Sequence, residues 1–190
     1  MEERASFSIS ITDHRWILDN PDDPHDLCSH GTVSVRLGSR VLAEDECTTS
    51  AGGLKLLRSL TEDHPLGECN GQIIPHCGHG MYLQEGSRDV LLLGCNAGID
   101  FGVHHDGDVV VLEMENGERI VLDRGEYEWA VLEFVDAVER FYARCSSKKL
   151  PDDKVDRQGY KAFWKEWKRR KREICKRRPA RDVFIETPAE

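Results

Sequence analysis

The sequence predicts an α+β fold: an antiparallel β-meander with one helix in the first half and two C-terminal helices packed on it. Three observations carry that reading. Apolar and polar residues alternate near the N-terminus and again around residue 100, the pattern of half-buried strands. Asp106-Gly107 and Asn116-Gly117 punctuate the second of these regions as tight hairpin turns. From Tyr127 onward, apolar residues recur at helical spacing.

Phe7, Ile9 and Ile11 alternate with Ser8, Ser10 and Thr12, which predicts a first strand. Asn20 to Pro24 is a polar turn. Val33, Val35 and Leu37 alternate again, and Gly38-Ser39 turns the chain into Val41-Leu42. Thr48, Thr49 and Ser50 offer caps to a helix whose apolar positions are Leu54, Leu56, Leu57 and Leu60, with Gly52 and Gly53 weakening its first turn. Residues 65–89 are rich in glycine and proline, with a short strand at Gln72-Ile73-Ile74. Val90–Leu93, Ile99–Val103, Val109–Leu112 and Ile120–Leu122 then read as a meander of about four strands. Tyr127, Val131, Phe134, Val138 and Phe141 mark a helix over 126–144 that should pack on the meander. Glu126 and Glu128 at its start and Arg140 and Arg144 at its end suit the helix dipole. A last helix is expected from Gln158 to Lys176, ended by Pro179, with 179–190 a flexible tail.

Charge divides the chain unevenly. Residues 1–160 carry 15 Lys and Arg against 30 Asp and Glu, a net of −15, and residues 161–190 carry 11 against 5, a net of +6. The organisation implied is an acidic α+β domain over 1–157 and a basic amphipathic helix over 158–178 packed on the same domain. No stretch approaches the roughly 18 apolar residues of a membrane span, and no signal segment opens the chain, so a cytoplasmic protein is expected. Seven scattered cysteines without a CxxC pair read as reduced thiols rather than a disulfide framework.

Several features suggest sites. Tyr160, Phe163, Trp164 and Trp167 interleave with Lys165, Lys168, Arg169 and Arg172, a pattern that serves nucleic acid by stacking and phosphate neutralisation. Its competing reading is a core stripe under a basic face. Cys28-x-His30 and His76-Cys77-x-His79 are two short-spaced pairs in loops, and Cys28, His30, Cys77 and His79 could together hold zinc. Cys69, Cys95, His104 and His105 could approach the same region. Cys77 beside His76 and His79 is a candidate thiol nucleophile, and Asp100 with His104 or His105 a candidate acid–base pair, whose simpler reading is a solvent-facing side of that strand. The acidic triplet Glu44-Asp45-Glu46 reads most simply as a solvated turn, or as bait for a basic protein partner.

Four segments in order carry a family likeness: Asp26-Leu27-Cys28-Ser29-His30-Gly31, Ile74-Pro75-His76-Cys77-Gly78-His79, Gly94-Cys95-Asn96-Ala97-Gly98-Ile99-Asp100, and Gly159-Tyr160-Lys161-Ala162-Phe163-Trp164-Lys165-Glu166-Trp167. Over about residues 7–172 the chain resembles an uncharacterised bacterial domain family to which no activity attaches. The resemblance implies an intact domain and bacterial origin. That family carries a cysteine where this chain has His76, so His76 could stand in as a ligand. The acidic α+β architecture is also similar to that of bacterial toxin-immunity proteins, which cover a basic toxin site with an acidic face. The function expected is therefore non-catalytic protein binding through Glu44, Asp45 and Glu46, immunity-type or regulatory. The alternatives are nucleic-acid binding through the basic helix and a zinc-stapled domain or Cys/His enzyme.

Overall fold

The computed structural model describes residues 6–18, 21–69 and 71–177, so the expected tail lies outside the described residues. Strand β1 (Phe7–Arg15) pairs antiparallel with β2 (His30–Leu37), and β2 pairs with β3 (Arg40–Thr48). Phe7, Ile9, Val33 and Val35 enter the core from this sheet. The acidic triplet is not a turn. It continues β3, with Asp45 opposite Val33 and Glu46 opposite Thr32. The Glu46 carboxylate accepts hydrogen bonds from Thr32 Oγ1 at 2.5 Å and Arg15 Nη2 at 2.7 Å, which fasten the strand to its neighbours.

Helix α1 (Thr49–Ser59) runs through the centre of the molecule and is buried along nearly its whole length. Gly52 and Gly53 are poor helix formers, but their bareness is what admits neighbours. A Cβ on Gly53 would lie 2.5 Å from the Trp167 ring, and one on Gly52 2.6 Å from Ile74 Cγ2.

The meander consists of β8 (Phe101–Asp106), β9 (Val109–Met114) and β10 (Arg119–Asp123), three strands rather than four. The Val90–Leu93 run lies instead in β6 (Val90–Gly94), paired with β5 (Gly78–Leu83). The short strand expected at 72–74 is β4 (Ile74–Pro75), paired with β7 (Gly98–Ile99).

Helix α2 (Arg124–Ala143) is capped by Asp123, whose carboxylate accepts from the backbone N–H of Gly125 and Glu126. Its expected apolar face is buried, but it covers β1 and α1 more than the meander. Helix α3 (Lys154–Arg177) starts four residues earlier than Gln158, because Asp153 accepts from the N–H of Val155 and Asp156. It packs on β5, β6 and α1. No helix among the described residues is long and apolar enough to cross a membrane.

Candidate metal centre

The two short ladders β4–β7 and β5–β6 are halves of one interrupted hairpin. Ile74 pairs with Ile99 and Pro75 with Gly98 on one side of the break, and Gly78 with Gly94 on the other. Within the break stand His76 and Cys77 on the first strand and Cys95, Asn96 and Ala97 on the second. Two residues therefore face three, an irregularity of the bulge kind that re-aims side chains. The His76 N–H donates to the Ala97 carbonyl at 2.8 Å, so the break is held closed by backbone. Thr48, at the N-terminus of α1, clamps it from below: its Oγ1 donates to the His76 carbonyl at 3.1 Å and accepts from the Gly78 N–H at 3.1 Å. Gly94 is required here, since a Cβ would overlap the Cys77 carbonyl oxygen.

This construction brings three metal-ligating groups together. One ligand atom each from His76, Cys77 and Cys95 lies within 4.8 Å of the others, the one such group of His, Cys, Asp or Glu among the described residues. His76 is exposed and both cysteines are half-buried. The two thiols share a hydrogen bond. It holds the Cys95 thiol below its ordinary range, with the surrounding backbone reinforcing the effect. Burial, followed by the same hydrogen bond, pushes the Cys77 thiol up. Asn96 Nδ2 reaches the Cys69 sulfur at 3.7 Å, and Cys47 is near enough to Cys95 to feel its charge, so the break lies in a thiol-rich region.

Of the four ligands expected from sequence, only Cys77 belongs to this group. The Cys28 thiol donates to the Gly78 carbonyl at 3.2 Å, and burial, followed by the Asp26 charge, pushes it up to about 12. In this arrangement Cys28 packs against the start of β5 and stands outside the group. His30 opens β2 and lies close enough to lower the pKa of His14. His79 lies in β5, and its side chain falls outside the described residues. Cys95 and His76 complete the group instead, joined by a pairing across β5 and β6 that the glycine-rich composition concealed.

The acid–base pair is also revised. Asp100 is buried, not solvent-facing, and its partner is His64 rather than His104 or His105. Its carboxylate accepts from the N–H groups of Gly67 and Ile73 at 2.9 and 3.1 Å and lies 3.2 Å from His64 Nε2. Burial opposes its charge, but these hydrogen bonds outweigh burial and leave the carboxyl below its usual range. Asp100 thus ties down the turn-rich segment 64–73. His104 stands beside Glu113, and His105 Nε2 lies 2.9 Å from the Ser59 carbonyl.

In α3 the aromatic stripe is core. Tyr160, Phe163 and Trp167 are buried and Trp164 is half-buried, so three of the four rings offer no stacking platform. Glu166, fully buried, accepts from Arg58 Nε at 2.8 Å, Arg170 Nε at 2.8 Å and the Val90 N–H at 2.7 Å. Arg170 also binds Glu62 and Asp89. Among the basic residues singled out, Arg169 pairs with Asp89 and Glu173, while Lys165, Lys168 and Arg172 are exposed. Trp164 and Lys168 line an open cavity of about 620 Å³ with Tyr160 and Lys148.

No family model, curated protein or solved structure matches the chain.

Proposed function

We propose that the protein binds a soft divalent metal, zinc by its ligand chemistry, at His76, Cys77 and Cys95. What supports this reading is the convergence of two sulfurs and an imidazole, all within 4.8 Å, in a break between the two strands of one hairpin. Thiolate and imidazole are the donors zinc prefers, and around a tetrahedral ion such atoms stand about 3.5–3.8 Å apart. The three groups therefore need to close by at most about 1 Å, and His76, the exposed member, has the most room to move. Zinc would displace the thiol protons of Cys77 and Cys95. It would also staple the break across 76–77 and 95–97, with three protein ligands and one position for water or a further group. The test is cobalt substitution. The metal-free protein titrated with Co²⁺ should develop thiolate-to-cobalt charge transfer and tetrahedral visible bands. Cys77→Ser and Cys95→Ser should each lose them. Absence of both bands in the parent protein overturns the reading.

A second reading, protein binding through an acidic face, is favoured by a different observation. Glu44, Asp45 and Glu115 line one cavity of about 350 Å³, rimmed by the Arg40–Glu118 ion pair. Glu44 and Asp45 are exposed, whereas Glu46 is engaged by Arg15 and Thr32. An acid-lined notch on an acidic body suits a basic side chain of a protein partner, as an immunity-type or regulatory interaction would need. Association should then slow steeply between low salt and about 0.5 M, where screening acts within a few ångström. An association rate unchanged by salt, or by Glu44→Gln with Asp45→Asn, contradicts it.

A further inference from the structure

Cys77 and Cys95 are the residues immediately outside the Gly78–Gly94 pair, one on each strand of the hairpin. Carried one residue past that pair, the register would set Cys77 opposite Cys95, and residues so opposed have Cα atoms about 4.5–5.5 Å apart. Disulfides join Cα atoms about 4.4–6.8 Å apart. The two sulfurs already lie within 4.8 Å of one another. Both side chains are half-buried, so a small oxidant can reach them. Of the other thiols near the hairpin, Cys47 is buried and Cys28 donates to the Gly78 carbonyl at 3.2 Å, whereas Cys69 is exposed and accepts from Asn96 Nδ2, so a Cys69 bridge is the competing outcome of the test.

We propose that Cys77 and Cys95 form a reversible, peroxide-driven disulfide that switches the break between a thiol form able to ligate metal and an oxidised form unable to. The proposal rests on the metal reading for the location of the site, but the chemistry itself needs no metal. One sulfur, as thiolate, attacks an oxygen of hydrogen peroxide. The O–O bond breaks, hydroxide leaves and takes up a proton to become water, and the sulfur becomes a sulfenic acid. The second thiolate attacks that sulfur, the S–O bond breaks, a second hydroxide leaves as water, and the S–S bond forms. Overall, two thiols and one hydrogen peroxide give one disulfide and two waters. The sulfurs lose two electrons and the peroxide gains them. A disulfide offers no thiolate, so a bound metal would be released.

The test uses the full-length, metal-free chain treated with one equivalent of hydrogen peroxide, scored by intact mass and by non-reducing peptide mapping. The expected result is loss of the mass of two hydrogens in most chains, a Cys77–Cys95 cross-linked peptide, and reversal by a thiol reductant. Cys77→Ser and Cys95→Ser, checked for native circular dichroism, should each lose the bridge entirely, whereas Cys175→Ser should keep it. Unoxidised thiols, a bridge to another cysteine, or a bridge between chains would overturn the proposal. The bridge is scored without metal, so the two readings fail separately. A chain that forms it but binds no zinc sinks the metal reading and with it the metal-release half of this proposal, leaving the disulfide itself standing, and a chain that binds zinc but forms no bridge sinks only this one.

Discussion

Glu166 in α3 and Cys95 in the interrupted hairpin both carry residue chemistry that enzymes and binding sites use, yet their surroundings differ in kind. Around Glu166 each group is matched. Two guanidinium groups and a backbone N–H converge on one buried carboxylate, and Arg170 is matched in turn by Glu62 and Asp89. Around Cys95 the groups converge without such closure: a second thiol and an imidazole face it across a break in the sheet, near the surface. The basic, aromatic helix is conspicuous in sequence and has become interior architecture. The inconspicuous Cys95 stands where a ligand could add something. A site is thus marked by donors that point at one another and still have capacity, and a run of reactive residue types alone does not mark one.

The sharpest way to break this contrast is to unbalance the matched side. Glu166→Ala leaves the buried Arg170 and the half-buried Arg58 without their shared carboxylate and should cost about 3–5 kcal/mol in urea denaturation. A cost under about 1 kcal/mol would show that the network is not closed.

His14 provides a smaller effect. Its ring stacks on Phe141 and its Nε2 lies 2.9 Å from Thr49 Oγ1. Burial, then the charges of Arg144 and His30, lower its pKa from 6.5 to about 4. Between those values the unfolded chain binds a proton that the folded chain refuses, so stability should fall as pH drops from 6.5 to about 4. His14→Gln should flatten that decline in the urea midpoint, and an equal slope in both proteins would contradict the assignment.

The smallest effect is expected on the exposed basic face. Lys165→Ala, Lys168→Ala and Arg172→Ala should each stay within about 0.5 kcal/mol of the parent protein. A larger loss would mean that these side chains have structural partners after all.

The fold class and most helices were legible in sequence because they rest on local signals. Asn116-Gly117 set the β9–β10 turn, and the spacing from Tyr127 to Phe141 set the buried face of α2. The candidate site was only partly legible, because it depends on one strand pairing. Gly78–Leu83 does not look like a strand, and the apolar run Val90–Leu93 was assigned to the meander. Yet the Leu83–Val90 pairing, extended along the hairpin from the Glu85-Gly86 turn, brings Cys77 to within one residue of Cys95. That register was the signal that could have found the site. Spacing along the chain brought Cys28 forward and passed over Cys95, because it does not measure distance across a sheet. Glu44–Glu46 misled for a related reason: a charged strand reads as a turn until its partner strand is known.

The most direct measurement is a native mass spectrum of the full chain purified without chelator or added metal, taken beside Cys28→Ser and Cys95→Ser. Assignment of the metal site to His76, Cys77 and Cys95 predicts one zinc per chain in the parent and in Cys28→Ser, and none in Cys95→Ser. A bare-chain mass in the parent, or zinc retained by Cys95→Ser and lost from Cys28→Ser, would contradict it.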